Sequence, residues 1–215
     1  MDVVNETILP NGKWFGPKKG TNKWENPWLK IGLDDNGCPL YILKAFEIAT
    51  KYATNIKLVY NHNAGMESFM WDKVKETILY IRSKGYRVDG IGWQAHIGLS
   101  ASTKAILENT DEELRKLSDL IDWAHKNNLE FHITELDYFV KDNNKLSEEY
   151  QKQAEIYAKI VNILREKIKS GVVTLNFWDM AVRTKKGKEG AFHSIYDSDF
   201  KPTPAYKAIN LLSKN

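Results

Sequence analysis

Two glutamates in this chain stand where runs of strand-forming residues end. In Phe131-His132-Ile133-Thr134-Glu135-Leu136-Asp137, apolar and β-favouring residues lead into Glu135, and Asp137 returns to the same face two residues later. Asp2-Val3-Val4-Asn5-Glu6 repeats the pattern. A carboxylate at the carboxyl end of a buried strand needs a partner or a task, because burying an unpaired charge is costly. Facing each other across one cleft, two such groups can divide the work of glycosidic bond cleavage. One stays protonated to donate to the leaving oxygen, and the other stays ionised to attack the anomeric carbon or to activate water. The apolar Val3, Val4 and Ile8 around Glu6 suit the protonated partner. Hydrogen bonds from His96 suit the ionised Glu135, with Asp137 fixing the tautomer of His96. Asn5, beside Glu6, is a candidate to bind a substrate hydroxyl. The competing reading is a pair of strand-end acids ion-paired to surface lysines, since such networks perturb carboxylates too.

Composition narrows the classes. A chain of 215 residues can build one sizeable core or two small ones. Lys and Arg total 31 against 28 Asp and Glu, and the formal charge of +3 is too small to point to nucleic acid. Lys185, Lys186 and Lys188 form a tight basic cluster that reads as a solvated loop. A single cysteine, Cys38, cannot form an internal disulfide. No apolar run has transmembrane length and no signal pattern opens the chain, so no membrane partner is expected. The five histidines fit no compact ligand spacing, so no metal site is expected. Seven Trp and ten Tyr are many for this length, and Trp14, Trp24, Trp28 and Trp178 lie in or beside loop-like stretches. Flat rings there can stack on sugars, although Trp is equally a rim-of-core residue.

The elements that must position these groups alternate along the chain. A short strand at Val3-Val4 runs into Asn5-Glu6, and a loop rich in Gly, Pro, Asn and Trp follows to about Pro39. The periodicity predicts helices over residues 40–52, 69–84, 111–127, 147–169 and 205–212. Thr110 with Glu113 reads as a capping box for the third of these, and Ser147 as the cap of the fourth. Strands are predicted over 56–60, 88–97, 129–136 and 172–177, the last being the final clear strand. Each strand ends in polar or aromatic side chains: Glu6, Asn61, Gln94 with His96, Glu135, and Trp178. Strand–helix alternation with helical crossovers gives a parallel sheet in an α/β protein. An open doubly wound sheet would gather its ligand at one switch point, and its nucleotide fingerprint is missing around Gly90-Ile91-Gly92. A (β/α)₈ TIM barrel uses all its strand ends, and is the preferred architecture.

Several segments in collinear order resemble glycoside hydrolase family 10, the retaining endo-β-1,4-xylanases. Asp2-Val3-Val4-Asn5-Glu6 is similar to the acid/base motif, and Ile133-Thr134-Glu135-Leu136-Asp137 to the nucleophile motif. Between them lie Asn26-Pro27-Trp28, Lys57-Leu58-Val59-Tyr60-Asn61 and Asp89-Gly90-Ile91-Gly92-Trp93-Gln94-Ala95-His96. Tyr196-Asp197 and Lys201-Pro202-Thr203-Pro204-Ala205-Tyr206 are similar to the closing segment. The resemblance implies a double displacement with Glu6 as acid/base and Glu135 as nucleophile, their carboxyl groups about 5–5.5 Å apart. It implies support of Glu135 by His96 and Asp137, and substrate contacts from Asn5, Asn61, Gln94 and Trp178. The substrate implied is xylan or a xylo-oligosaccharide, in a secreted or cell-surface setting, with no metal or organic cofactor.

Departures from the family pattern shape the reading. Family members carry three strands before the acid/base motif, so residues 1–215 read as the C-terminal part of the catalytic barrel, about strands four to eight. A missing N-terminal segment or a partner chain would supply the rest. His62 stands where Asp is usual, and Asp179-Met180-Ala181-Val182 replaces the residues usual after Trp178. Strands four to eight alone leave sheet edges at Val3-Val4 and near Leu175, which a closed barrel would remove. A non-catalytic half-barrel or xylan-binding fragment therefore stands beside the enzyme reading.

Overall fold

The structure, a computed structural model, describes residues 1–16, 26–184 and 190–213. Trp24 and the Lys185, Lys186 and Lys188 cluster lie outside the described residues.

In chain order the strands are β1 (Asp2–Asn5), β2 (Val59–His62), β3 (Gly90–Trp93), β4 (His96–Ile97), β5 (Glu130–Val140), β6 (Val173–Phe177), β7 (Arg183–Thr184) and β8 (Ala191–His193). The helices are α1 (Leu40–Tyr52), α2 (Ser68–Ser83), α3 (Ala101–Glu108), α4 (Thr110–Lys126), α5 (Leu146–Lys167) and α6 (Pro204–Ser213). Five strands, β1-β2-β3-β5-β6, pair side by side and all parallel. Asn5 lies level with Asn61, Asn61 with Gly92, and Gly92 with His132. Parallel register therefore brings the polar ends of successive strands to one rim, a half-barrel of the (β/α) kind.

The helical spacing explains how one face of this sheet is covered. Val74, Ile78 and Ile81 of α2 are fully buried, as are Leu117, Ile121 and Ala124 of α4 and Tyr157 and Ile160 of α5. These positions repeat at three or four residues and so share a helix face. Tyr60 of β2 stacks on Phe46 of α1 with ring centroids 6.1 Å apart, which places Tyr60 on the helix side and its neighbour Asn61 on the other. That other face is polar. A Cβ at Gly90 would fall 2.7 Å from the His132 ring, and one at Gly92 would fall 2.4 Å from Asn61 Oδ1. The two glycines of β3 thus let long side chains from both neighbouring strands lie across it.

Among the described residues β1 pairs only with β2, and β6 only with β5 in the parallel sheet, so the half-barrel has two open edges where the sequence places them. Along the β1 edge Met1, Ile31, Ile48 and Tyr52 are exposed, beside a cavity of about 480 Å³ lined partly by Val3, Trp28 and Tyr41. No helix of the described residues is long and apolar enough to cross a membrane.

Local departures from the sequence expectation have physical causes. The strand predicted over 88–97 is two strands, broken at Gln94-Ala95, where Ala95 takes a left-handed backbone (φ 63°). β2 begins at Val59 rather than 56, and Ile56 is exposed. β5 runs past Leu136 to Val140, because its second half leaves β6 and pairs antiparallel with β8, a short strand with little sequence signal. In α1 the buried face is Ile42, Phe46 and Ala49, while Ile48 faces outward. Thr110 is the first residue of α4, and its hydroxyl donates to the Ile106 carbonyl rather than capping the helix. The capping box lies earlier, between Ser100 and Thr103 at the start of α3. Ser147 lies inside α5, whose N-cap position is Lys145.

Candidate active site

The turn after β1 presents Glu6, which has a left-handed backbone (φ 53°) unusual for a residue with a Cβ. The Gln94 side-chain amide donates to Glu6 Oε1 at 2.8 Å and to Asn5 Oδ1 at 3.0 Å. One amide therefore ties two candidate residues together. The left-handed Ala95 lets Gln94 turn toward Glu6 while His96, two positions on, reaches the other glutamate. An unbroken strand would put both on one face, pointing the same way.

Glu135 sits at the point where β5 shifts register between Ile133 and Leu136. Its side chain is 13% exposed. Asn61 donates to Glu135 Oε1 at 3.3 Å, and the Thr134 hydroxyl donates to Asn61 Oδ1 at 2.9 Å, which fixes the orientation of the Asn61 amide. His96 Nε2 lies 3.2 Å from Glu135 Oε2, and His96 Nδ1 lies 2.8 Å from Asp137 Oδ1. Both ring nitrogens thus face carboxylate oxygens, a geometry that only the doubly protonated imidazolium satisfies as donor. Burial alone would push His96 down. The hydrogen bonds to Asp137 and Glu135 outweigh it and bring His96 up to about 9. Burial also pushes the Asp137 carboxyl up, opposed by His96 and by the charge of Arg183.

Trp178 follows β6 and is half exposed, its ring edge-on to His96 at 6.1 Å and 90°. All eight side chains singled out in the sequence (Asn5, Glu6, Asn61, Gln94, His96, Glu135, Asp137 and Trp178) therefore meet at the carboxyl rim. Trp14 and Trp28 do not join them. Trp14 donates to the Gly37 carbonyl under Lys73, and Trp28 stands at the β1 edge. A cavity of about 370 Å³ opens between Glu6 and His96, walled by Leu9, Pro10, Phe15 and Leu99.

Sequence reading missed two contributors, Thr134 and Arg183. Thr134 sits inside the nucleophile-like segment, and its alternation with Asn61 across Gly92 was the available signal. Arg183 of β7 contacts Asp137 Oδ2 at 3.5 Å, pairs with Asp179 and lies 4.3 Å over the Phe192 ring. Nothing in local pattern announces Arg183, because the two-residue strand that carries it is set only by tertiary pairing with β8. Among the described residues no group of three or more His, Cys, Asp or Glu could hold a metal ion.

Two expectations follow from this geometry. Gly92→Ala would drive a Cβ into Asn61 Oδ1 and to 3.1 Å from Thr134 Cγ2. It is expected to destabilise the fold by about 1–3 kcal/mol, read as a lower denaturant midpoint. His96 has a folded value above its unfolded one of 6.5. Its contribution to stability is thus complete below about pH 6.5 and is lost as pH rises toward 9, a change of up to about 3 kcal/mol. Thermal midpoints measured from pH 6 to 9.5 should fall in the wild type across that window, and His96→Gln should flatten the fall.

A parallel half-barrel with carboxylates, amides and an aromatic ring at its carboxyl rim defines the chain as part of an α/β-barrel protein. The profile of glycosyl hydrolase family 10 matches residues 1–211, and the chain belongs to that family. It is 28% identical over 213 residues to endo-1,4-beta-xylanase A of Thermoanaerobacterium saccharolyticum, covering 97% of this chain and 16% of that protein. It is 29% identical over 192 residues to endo-1,4-beta-xylanase A of Caldicellulosiruptor saccharolyticus, covering 85% of this chain and 49% of that protein. Among solved structures, xylanase 10B of Thermotoga petrophila RKU-1 in complex with xylobiose superposes with a TM-score of 0.71 at 26% identity, covering 99% of this chain and 59% of that one. The chain thus spans less than two thirds of each of these relatives.

Proposed function

We propose that this chain carries the catalytic pair of a retaining endo-β-1,4-xylanase. Glu6 is the acid/base and Glu135 the nucleophile. In the first displacement a Glu135 carboxylate oxygen attacks the anomeric carbon, the glycosidic C–O bond breaks, and Glu6 gives its proton to the leaving oxygen. In the second, Glu6 takes a proton from water, the water oxygen attacks the same carbon, and Glu135 leaves. The observation that carries this reading is the bonding of the two glutamates. Glu135 accepts from Asn61 and faces His96, which Asp137 backs, while Glu6 accepts from the Gln94 amide. Each carboxylate keeps a second oxygen or a weak partner free for substrate, and among the described residues no lysine pairs with either. An ion-pair role with surface lysines is therefore disfavoured.

His96 in its charged form holds one edge of Glu135, and Arg183 holds Asp137 behind it. Asn5, Asn61 and Gln94 offer amides to sugar hydroxyls, and Trp178 offers a ring wall beside the reacting sugar. The cavity beside Glu6 receives the leaving-group side, and its apolar walls suit the faces of a pyranose ring. Xylan is the substrate class, in line with the xylobiose held by the Thermotoga petrophila neighbour. For the protein that contains the chain the proposed setting is secreted or cell-surface, where xylan itself occurs. The five parallel strands are strands four to eight of the barrel, residues 1–215 are its C-terminal portion, and further strand–helix units, on the same polypeptide or a partner chain, close the β1 and β6 edges.

The open edges favour one second reading, a half-barrel that binds xylan without cleaving it. Proton NMR of the first product formed from xylotetraose separates the readings. The β-anomer of the new reducing end, appearing before mutarotation, is expected. First appearance of the α-anomer would exclude double displacement, and no product at all would favour the binding reading.

A further inference from the structure

The turn that carries Glu6 is fastened to β2 residue by residue. The Glu6 amide donates to the Asn61 carbonyl at 3.3 Å, and the Thr7 hydroxyl is hydrogen-bonded to the Tyr60 hydroxyl. The third tie is of a different kind, because the Ile8 amide donates to His62 Nε2 at 3.1 Å. A ring nitrogen accepts only when it carries no proton. The other nitrogen, Nδ1, faces the Asn63 carbonyl at 3.2 Å, and a carbonyl only accepts. These two contacts together define one tautomer, with hydrogen on Nδ1 and the lone pair on Nε2. His62 is fully buried. Burial holds its imidazole down, at about 4, so the lone pair is present throughout the neutral range. Trp71 of α2 stands against the ring at 5.9 Å and 64° and fixes its plane.

The tie has something to hold. Glu6 adopts a left-handed backbone that costs a side-chain-bearing residue energy, and such a conformation persists only where its surroundings over-determine it. Asn61 and Tyr60 also hold residues on the Glu6 turn, yet both have further duties: Asn61 orients Glu135, and Tyr60 packs on α1. His62 bonds the turn through Nε2, and its other contacts, to the Asn63 carbonyl and the Trp71 ring, orient the imidazole for that bond.

We propose that His62 is a positioning residue for Glu6, its unprotonated Nε2 holding the Ile8 amide and through it the left-handed turn on which the Glu6 carboxyl stands. The catalytic part of this inference rests on Glu6 being the acid/base, whereas its structural part does not.

The test compares the wild type with His62→Gln and His62→Asn. Glutamine places an acceptor oxygen about where Nε2 lies, while asparagine is one methylene shorter and falls short of Ile8. The wild type at pH 7 should show, by ¹⁵N NMR of the imidazole, hydrogen on Nδ1 and none on Nε2. In His62→Asn the Ile8 amide should exchange about tenfold faster, the worth of one buried hydrogen bond, and the Gln94 side-chain amide resonances should shift as their Glu6 acceptor moves. His62→Gln should restore both. Hydrolysis of xylotetraose should fall by up to about 100-fold in kcat for His62→Asn with KM little changed, and recover in His62→Gln. A wild-type ring protonated on Nε2 would overturn the proposal, and that measurement stands even if His62→Asn does not fold. So would equal Ile8 exchange in the wild type and His62→Asn, or no recovery in His62→Gln. A wild type without hydrolytic activity would instead count against the role given to Glu6, leaving the exchange and tautomer results to decide that of His62.

Discussion

Replacing Glu135 by alanine is expected to lower xylan hydrolysis by roughly 10⁴-fold or more, the scale seen when a covalent nucleophile is removed. Alanine removes both the attacking oxygen and the acceptor for Asn61 and His96. The amides of Asn5 and Gln94 and the ring of Trp178 do not depend on the Glu135 carboxylate for their own contacts. Binding of xylo-oligosaccharide, measured by calorimetry, should therefore survive within about tenfold, an effect of about 1.4 kcal/mol or less. Loss of hydrolysis with binding kept is the signature of a group used in the transition state rather than in the ground state. If Glu135→Ala hydrolyses as the wild type does, Glu135 is not the nucleophile; if both bind xylan and neither hydrolyses it, the half-barrel is better read as a binding module.

Glu6→Gln carries the second largest expected effect, about 10²–10⁴-fold on xylan, the usual range for a general acid. Glutamine is isosteric and can keep the Gln94 contact by reorienting its amide, so the loss reports proton transfer rather than packing. Its size should depend on the leaving group. Xylan leaves as an alkoxide and needs a proton, whereas an aryl xylobioside with an acidic phenol does not. Glycosylation by Glu6→Gln should thus be nearly unimpaired on the aryl substrate, and the second displacement, which needs a base, should become the slow step. A burst of phenol followed by slow turnover is the expected record. An equal loss on both substrates would mean that Glu6 does not act as the acid.

Much of this site was legible in the sequence because strand ends are marked by a change of residue type. Val3-Val4 into Glu6, Tyr60 into Asn61, and Phe131 to Ile133 into Glu135 each switch from apolar to polar within one or two positions, and parallel register then brings such ends to one rim. The long helices were legible for the same reason, their apolar positions repeating at three or four residues. What stayed hidden was set by contacts distant in sequence. The break between β3 and β4 depends on a left-handed Ala95, a conformation that alanine does not advertise. Strands β7 and β8, with two and three residues, form only because the far half of β5 offers them an edge. Arg183 and Phe192, which close the space behind His96 and Asp137, ride on those strands. The helix caps were misplaced where two candidates lay close together. Ser100 and Thr103 satisfy the orphan amides at the start of α3, and α4 follows it with only Asn109 between them.

In the proposed double displacement Glu135 forms a covalent bond to the sugar during turnover. Mass spectrometry of the protein after incubation with an activated 2-deoxy-2-fluoro-xylobioside is the test, because the fluorine slows both displacements while the acidic leaving group restores the first, so the covalent intermediate accumulates. A mass gain of one fluoroxylobiosyl group is expected, located by peptide mapping on Glu135 and absent from Glu135→Ala. A label on Glu6 or another residue, or an unmodified protein that still turns over xylan, would contradict it.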